Sequence, residues 1–189
     1  KKSFFRSVLM KEKIMNKEEL KASLRFDTKT IVMMGLLIAI EVILSRFASI
    51  SVWNLKIGFG FVPLVIAAIL MGSVKAGIVG ALADLVGATL FPIGAYFIGF
   101  TITNFLTGFV YGLFLYKKQS LTRTIIAVAI NHFILSSLLN TLWISVLYGS
   151  PYLPLFVTRI LKSAVMAPIH VFIIHVLSKT SLRSLVLQS

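Results

Sequence analysis

The sequence predicts an all-α integral membrane protein, a bundle of six transmembrane helices with both termini cytoplasmic. Three observations predict it. Hydrophobic residues make up 58% of the 189 positions and charged residues 13%, against about 45–50% and roughly 25% in an ordinary soluble domain. So short a chain has no core large enough to hide the excess, so lipid must solvate much of it. The apolar residues fall into runs of about twenty, the length that crosses a bilayer at about 1.5 Å per residue. The basic residues are divided unequally between the two ends of those runs.

The elements follow in order. Residues 1–27 form a basic segment, expected on the cytoplasmic side, and Lys1, Lys2, Arg6, Lys11, Lys13, Lys17, Lys21, Arg25 and Lys29 fall within the first thirty positions. Beside a membrane domain such a run suits anionic headgroups, at about 1 kcal/mol per cation, better than nucleic acid, and no nucleic-acid partner is expected. It lacks the apolar stretch of a secretory signal and is expected not to be one. The membrane domain is expected over residues 28–178. Its first helix runs from 28 to about 47, interrupted beyond its first turn only by Glu41 and Arg46. A polar, aromatic loop follows to about 61. The second helix, 62–71, is short and carries Pro63 in its first turn, where the missing N–H has no intrahelical role.

The third helix, 74–90, is rich in small residues (Ala76, Gly77, Gly80, Ala83, Gly87) that let backbones approach closely in lipid. Pro92 and Gly94 break the chain. A fourth helix is expected from about 95 to 116, a fifth over 121–148 and a sixth over 152–178, with a cytoplasmic tail at 179–189. With the N-terminus inside, fifteen of the nineteen Lys and Arg residues lie on the cytoplasmic side.

The four exceptions, Arg46, Lys56, Arg159 and Lys162, all fall near the outer end of the bundle. Interfacial snorkelling accounts for any one of them. Taken together they outnumber Glu41 and Asp84, the acids outside the N-terminal segment, and an outward-facing excess of cations suits an anionic ligand. Glu41 is expected to partner a basic residue, Arg46 or Arg159. Asp84, midway along the third helix, either pairs with a cation or accepts hydrogen bonds from an amidine-like ring edge.

Polar residues recur at helical spacing. His132, Ser136, Asn140 and Trp143 form one stripe, Phe97, Thr101, Asn104, Gly108 and Tyr111 a second, and Arg159, Lys162, Met166 and His170 a third. Asn104, Asn140 and Asp84 offer donors and acceptors to a planar heterocycle, and Tyr96, Phe97 and Trp143 offer stacking surfaces. Interhelical hydrogen bonding is the plain alternative for any single one. The chain has no cysteine, its three histidines lack metal-ligand spacing, and it carries neither a Walker A motif nor an activated nucleophile. Neither enzymatic activity nor a cofactor or metal is expected.

Several stretches carry a family resemblance. Arg46-Phe47, Ser49-Ile50 and Lys56-Ile57-Gly58-Phe59-Gly60-Phe61-Val62-Pro63 resemble the first outer loop of the substrate-binding S components of energy-coupling factor (ECF) vitamin transporters. Pro92-x-Gly94-x-Tyr96-Phe97-x-Gly99-Phe100-Thr101, Asn140-Thr141-Leu142-Trp143 and Arg159-Ile160-x-Lys162 resemble the pattern of the folate subfamily. The resemblance covers about residues 30–178. It implies a multi-pass protein of the bacterial cytoplasmic membrane with a vitamin pocket in the outer half. It also implies a transmembrane coupling subunit and two cytoplasmic ATPases as partners. Gly35-x-x-x-Ala39 matches the small-residue patch by which such components meet the coupling subunit. On this reading Arg46, Lys56, Arg159 and Lys162 supply the cations for the carboxylates of folate, Tyr96, Phe97 and Trp143 flank its rings, and Asn104, Asn140 and Asp84 meet the pterin edge. An S component for pantothenate, thiamine or a thiamine precursor is the nearest alternative, and a structural membrane protein without a ligand the next.

Overall fold

The computed structural model describes residues 26–52, 55–116 and 118–179, with 50–52 and 55–57 described as backbone. The N-terminal basic run up to Arg25, Lys117 and the tail beyond Lys179 lie outside the described residues. Among the described residues six helices form the bundle: α1 (Thr28–Arg46), α2 (Phe61–Met71), α3 (Ser73–Leu90), α4 (Ile98–Leu115), α5 (Leu121–Tyr148) and α6 (Tyr152–Lys179). All but α2 are long and apolar enough to cross a membrane.

With 11 residues, α2 reaches about 17 Å, little more than half of a hydrocarbon core about 30 Å thick. The other helices surround it. Val65, Ala67 and Ala68 are completely buried, and Leu64 and Ile69 nearly so. A half-length helix is tolerated at membrane depth because protein, not lipid, covers its ends. The long helices do the reverse. Val32 and Leu36 on α1, and Leu153, Leu161, Val165 and Phe172 on α6, are each 60% or more exposed. Such faces are stable against acyl chains or another apolar surface, not against water.

The α3–α4 pair is the tightest contact and follows from the small residues. A Cβ on Gly77 would sit 2.9 Å from the Phe105 ring, one on Gly80 2.5 Å from the Asn104 carbonyl, and one on Gly108 would overlap the Ala76 carbonyl. With hydrogen alone at these positions the backbones meet, as the composition of the third helix predicted. At the start of α1, Asp27 accepts a hydrogen bond from the Thr30 hydroxyl, which holds its carboxyl below the usual carboxylate range.

Two features depart from the sequence expectation. Residues 49–58, expected as a loop, form an antiparallel hairpin of β1 (Ser49–Val52) and β2 (Leu55–Gly58), with Ser49 opposite Gly58 and Ser51 opposite Lys56. This closes the backbone hydrogen bonds of an otherwise irregular cap. In α5, Ile130–Leu139 is π-helical. Its i→i+5 bonding widens each turn, so Ser137, five after His132, takes the inward position that a 3.6-residue repeat gives to Ser136. Ser137 is completely buried and its hydroxyl donates to the His132 carbonyl at 2.9 Å.

Candidate functional site

The hairpin and the first four helices enclose a cavity of about 200 Å³. Glu41, Ser45 and Arg46 come from the last turns of α1, Gly58 from β2, and Phe61 and Leu64 from α2. Asp84 comes from α3, and Asn104 and Thr107 from α4. Each is placed by local structure. Arg46 closes α1, where a cation suits the negative end of the helix dipole. Glu41 and Ser45 sit one turn apart on the same face. Asp84 and Gly87 are likewise one turn apart on α3, and Gly87 admits Arg46: a Cβ there would lie 2.7 Å from Arg46 Nε.

Arg46 Nε is buried and has no hydrogen-bond partner. Asp84 Oδ2 accepts from the Thr101 hydroxyl at 2.7 Å, and Thr101 Oγ1 lies 3.0 Å from the Tyr96 hydroxyl. The hollow therefore presents a guanidinium donor, a carboxylate acceptor and an amide on three different walls. A planar molecule with a donor edge and an acceptor edge could bridge them.

An aromatic pair stands where the chain enters α4, facing α5. The Phe97 and Trp143 rings are 5.6 Å apart and tilted by 46°, and Trp143 Nε1 donates to Thr103 Oγ1 at 3.0 Å. Thr103 in turn donates to the Gly99 carbonyl at 2.9 Å. A Cβ on Gly99 would lie 2.6 Å from both rings, so glycine at this position sets how closely the rings approach α4.

A second polar cluster joins the π-helical segment of α5 to α6. His132 Nε2 and His170 Nδ1 are 2.8 Å apart, and Ser137 Oγ and Ser163 Oγ are 2.9 Å apart. Arg159 donates to the Ser136 carbonyl at 3.1 Å. The His170 ring stacks on Phe61, centroids 3.7 Å apart, and Phe61 links the cluster to the cavity wall.

Of the residues singled out from the sequence, the structure brings Arg46, Asp84 and Asn104 to one cavity. Tyr96 reaches it through Thr101. Phe97 and Trp143 form the aromatic pair. Asn140, half-buried on α5, has a buried side-chain oxygen without a partner. Arg159 is buried in the α5–α6 contact and Lys162 is half-buried one turn further along α6. Neither lines the cavity. Lys56 is described as backbone in β2. Gly35 and Ala39 are exposed on α1, with open space beyond Gly35.

Sequence reasoning put Thr101 on the Asn104 stripe but gave no site role to it, nor to Ser45, Phe61, Gly87, Thr103 or Thr107. Thr107 follows Asn104 at three-residue spacing, the signal that could have added it to the cavity face.

A lipid-solvated bundle that keeps a guanidinium, two carboxylates and an amide around one hollow has the form of a small-molecule-binding membrane component. The comparisons give the family. The profile described as "ECF transporter, substrate-specific component" matches residues 29–178, and the chain belongs to that family. It is thus a multi-pass cell-membrane protein that binds a transport substrate, and not an enzyme. A folate transporter FolT of Clostridium novyi (strain NT) is 42% identical over 143 residues, 75% of this chain and 83% of that protein. A folate transporter FolT of Leuconostoc mesenteroides is 31% identical over 154 residues, 78% and 83% of the two chains. A crystal structure of FolT bound with folic acid superposes with a TM-score of 0.77 at 38% identity, covering 81% of this chain and 94% of the other.

Proposed function

We propose that this chain captures folate outside the cell and hands it to an ATP-driven coupling module. The observation that carries the proposal is the cavity between α1, α3 and α4. There Arg46, whose Nε has no hydrogen-bond partner, lines the same hollow as Asp84 and Asn104, in a chain similar to folate-binding relatives.

At about 200 Å³ the cavity is smaller than the roughly 300–1,000 Å³ of sites that enclose a whole drug-sized ligand. It suits the pterin head of folate. Asp84 would accept the ring N–H and the 2-amino group. Arg46 would donate to the ring carbonyl oxygen and the adjacent ring nitrogen, and Asn104 would complete the edge. Arg46 packs against Gly87, only three residues along α3 from Asp84, a separation of about 4.5 Å. An extended folate is several times longer, so these two residues grip one end of it. The two carboxylates are then left to Lys56, Arg159 and Lys162. Phe97, Trp143 and Tyr96 flank the rings, and Asn140 adds a polar contact beside them.

The partners in this reading are a transmembrane coupling subunit and two cytoplasmic ATPases. In this reading the N-terminus lies inside, in line with the positive-inside distribution of Lys and Arg. The exposed pair Gly35 and Ala39 offers a smooth face of α1 to the coupling subunit.

Competition binding tests the proposal. The purified chain should retain labelled folate at or below about 1 μM, about −8.2 kcal/mol, and neither pantothenate nor thiamine should displace it at hundredfold excess. Displacement by either vitamin, or no retained folate, overturns the assignment.

A further inference from the structure

Behind Asp84 stands a chain of hydroxyls that does not line the cavity. Thr101 Oγ1 donates to Asp84 Oδ2, and the Tyr96 hydroxyl lies within hydrogen-bond distance of the same Oγ1. A threonine hydroxyl carries one hydrogen. Thr101 directs it at the carboxylate, so Tyr96 must be the donor in the outer bond. The polarity runs from Tyr96 through Thr101 to Asp84.

We infer that Thr101 and Tyr96 are positioning residues that orient the Asp84 carboxylate and so set the selectivity of the site for a ring bearing a 2-amino group. The inference rests on the folate reading. The terminal torsion of an aspartate is broad and nearly two-fold, so an untethered Asp84 could turn its plane away from the ligand's paired N–H groups. A bond from Thr101 to one oxygen fixes that plane. It leaves the other oxygen, and the second lone pair of the bonded one, to accept from the ligand.

The tether is itself rigid. Thr101 stands in the first turn of α4, three residues before Asn104, and α4 is locked against α3 through Gly77, Gly80 and Gly108. Among the described residues no other hydrogen bond reaches Asp84, so the orientation depends on this chain. Tyr96 sits in the connection between α3 and α4, more than two-fifths exposed. Its donation polarises the Thr101 hydroxyl and strengthens the inner bond.

The test measures dissociation constants of the purified chain for folate and for 2-desaminofolate. The variants are Thr101→Val, Thr101→Ser and Tyr96→Phe. The unsubstituted chain should prefer folate. Thr101→Val should lose roughly tenfold or more in folate affinity with little change for the desamino analogue, so that the preference collapses. Thr101→Ser should restore it, and Tyr96→Phe, at a partly exposed ring where misfolding is not a concern, should reduce it a fewfold. Equal losses for both ligands would mean a merely structural role and overturn the inference, as would an unchanged preference in Thr101→Val and Tyr96→Phe. Failure of the unsubstituted chain to bind folate would instead overturn the folate reading itself, and this inference with it.

Discussion

Replacing Arg46 by methionine separates its charge from its packing. Methionine keeps an unbranched stem against Gly87, where the guanidinium now lies, and removes every donor. Arg46 Nε is buried and unpartnered, and on the proposed reading the guanidinium donates to the ligand. A hydrogen bond to a charged group contributes about 1.5–3 kcal/mol, or roughly ten- to 150-fold in Kd. Arg46→Met should therefore weaken folate by that factor when measured by isothermal titration. The melting temperature should change little, because Arg46 is only half-buried and its Nε makes no hydrogen bond within the protein. Pteroate, which lacks the glutamate, decides which end Arg46 grips. If it holds the pterin head, the same loss appears with pteroate. A loss that vanishes with pteroate would refute the placement of the head group between Arg46 and Asp84, and a Kd within threefold of the original would refute any ligand contact by Arg46.

Further outcomes follow from the same geometry. Gly87→Ala puts a methyl 2.7 Å from Arg46 Nε, too close for the guanidinium to stay, and should weaken folate binding in the same direction as Arg46→Met in the same titration. Gly99→Ala should force the Phe97 and Trp143 rings off α4, seen as a shifted Trp143 emission in a Trp53→Phe background. Ser137→Ala removes one interhelical hydroxyl bond and should cost about 0.6 kcal/mol of stability by detergent denaturation, with folate affinity unchanged because Ser137 lies outside the cavity. Gly35→Leu projects into open space and should leave folate affinity intact while reducing co-purification with a coupling subunit. Retained co-purification would show that this face of α1 is not the contact.

The helical framework was legible because lipid imposes a simple rule: long apolar runs bounded by Gly, Pro and Lys must be spanning helices. A close helix contact on α3 was legible too, from small residues such as Gly77 and Gly80, but not that α4 with Gly108 is its partner. The π-helical stretch was not, because a fixed 3.6-residue repeat assigns Ser136 to the inward face. The wider turn brings in Ser137 and leaves the Ser136 carbonyl to Arg159. The hairpin was legible only in part. Ile50 and Val52, then Leu55 and Ile57, alternate with period two, a pattern that the polar residues between them concealed. At the site, charge counting identified Arg46, and helical spacing placed Thr101 and Asn104 on one face. What the sequence did not carry was distance across helices: that Arg46 of α1 reaches Gly87 of α3, or that Thr101 of α4 reaches Asp84 of α3.

The most direct measurement is the position of folate in a crystal or electron-microscopy structure of this chain saturated with the vitamin. The account requires pterin density inside the hollow, with its donor edge within hydrogen-bond distance of Asp84 and its acceptor edge facing Arg46, and the glutamate directed away from both. Density elsewhere, for example beside His132 and His170 between α5 and α6, or a glutamate seated on Arg46 with the pterin outside, would contradict it.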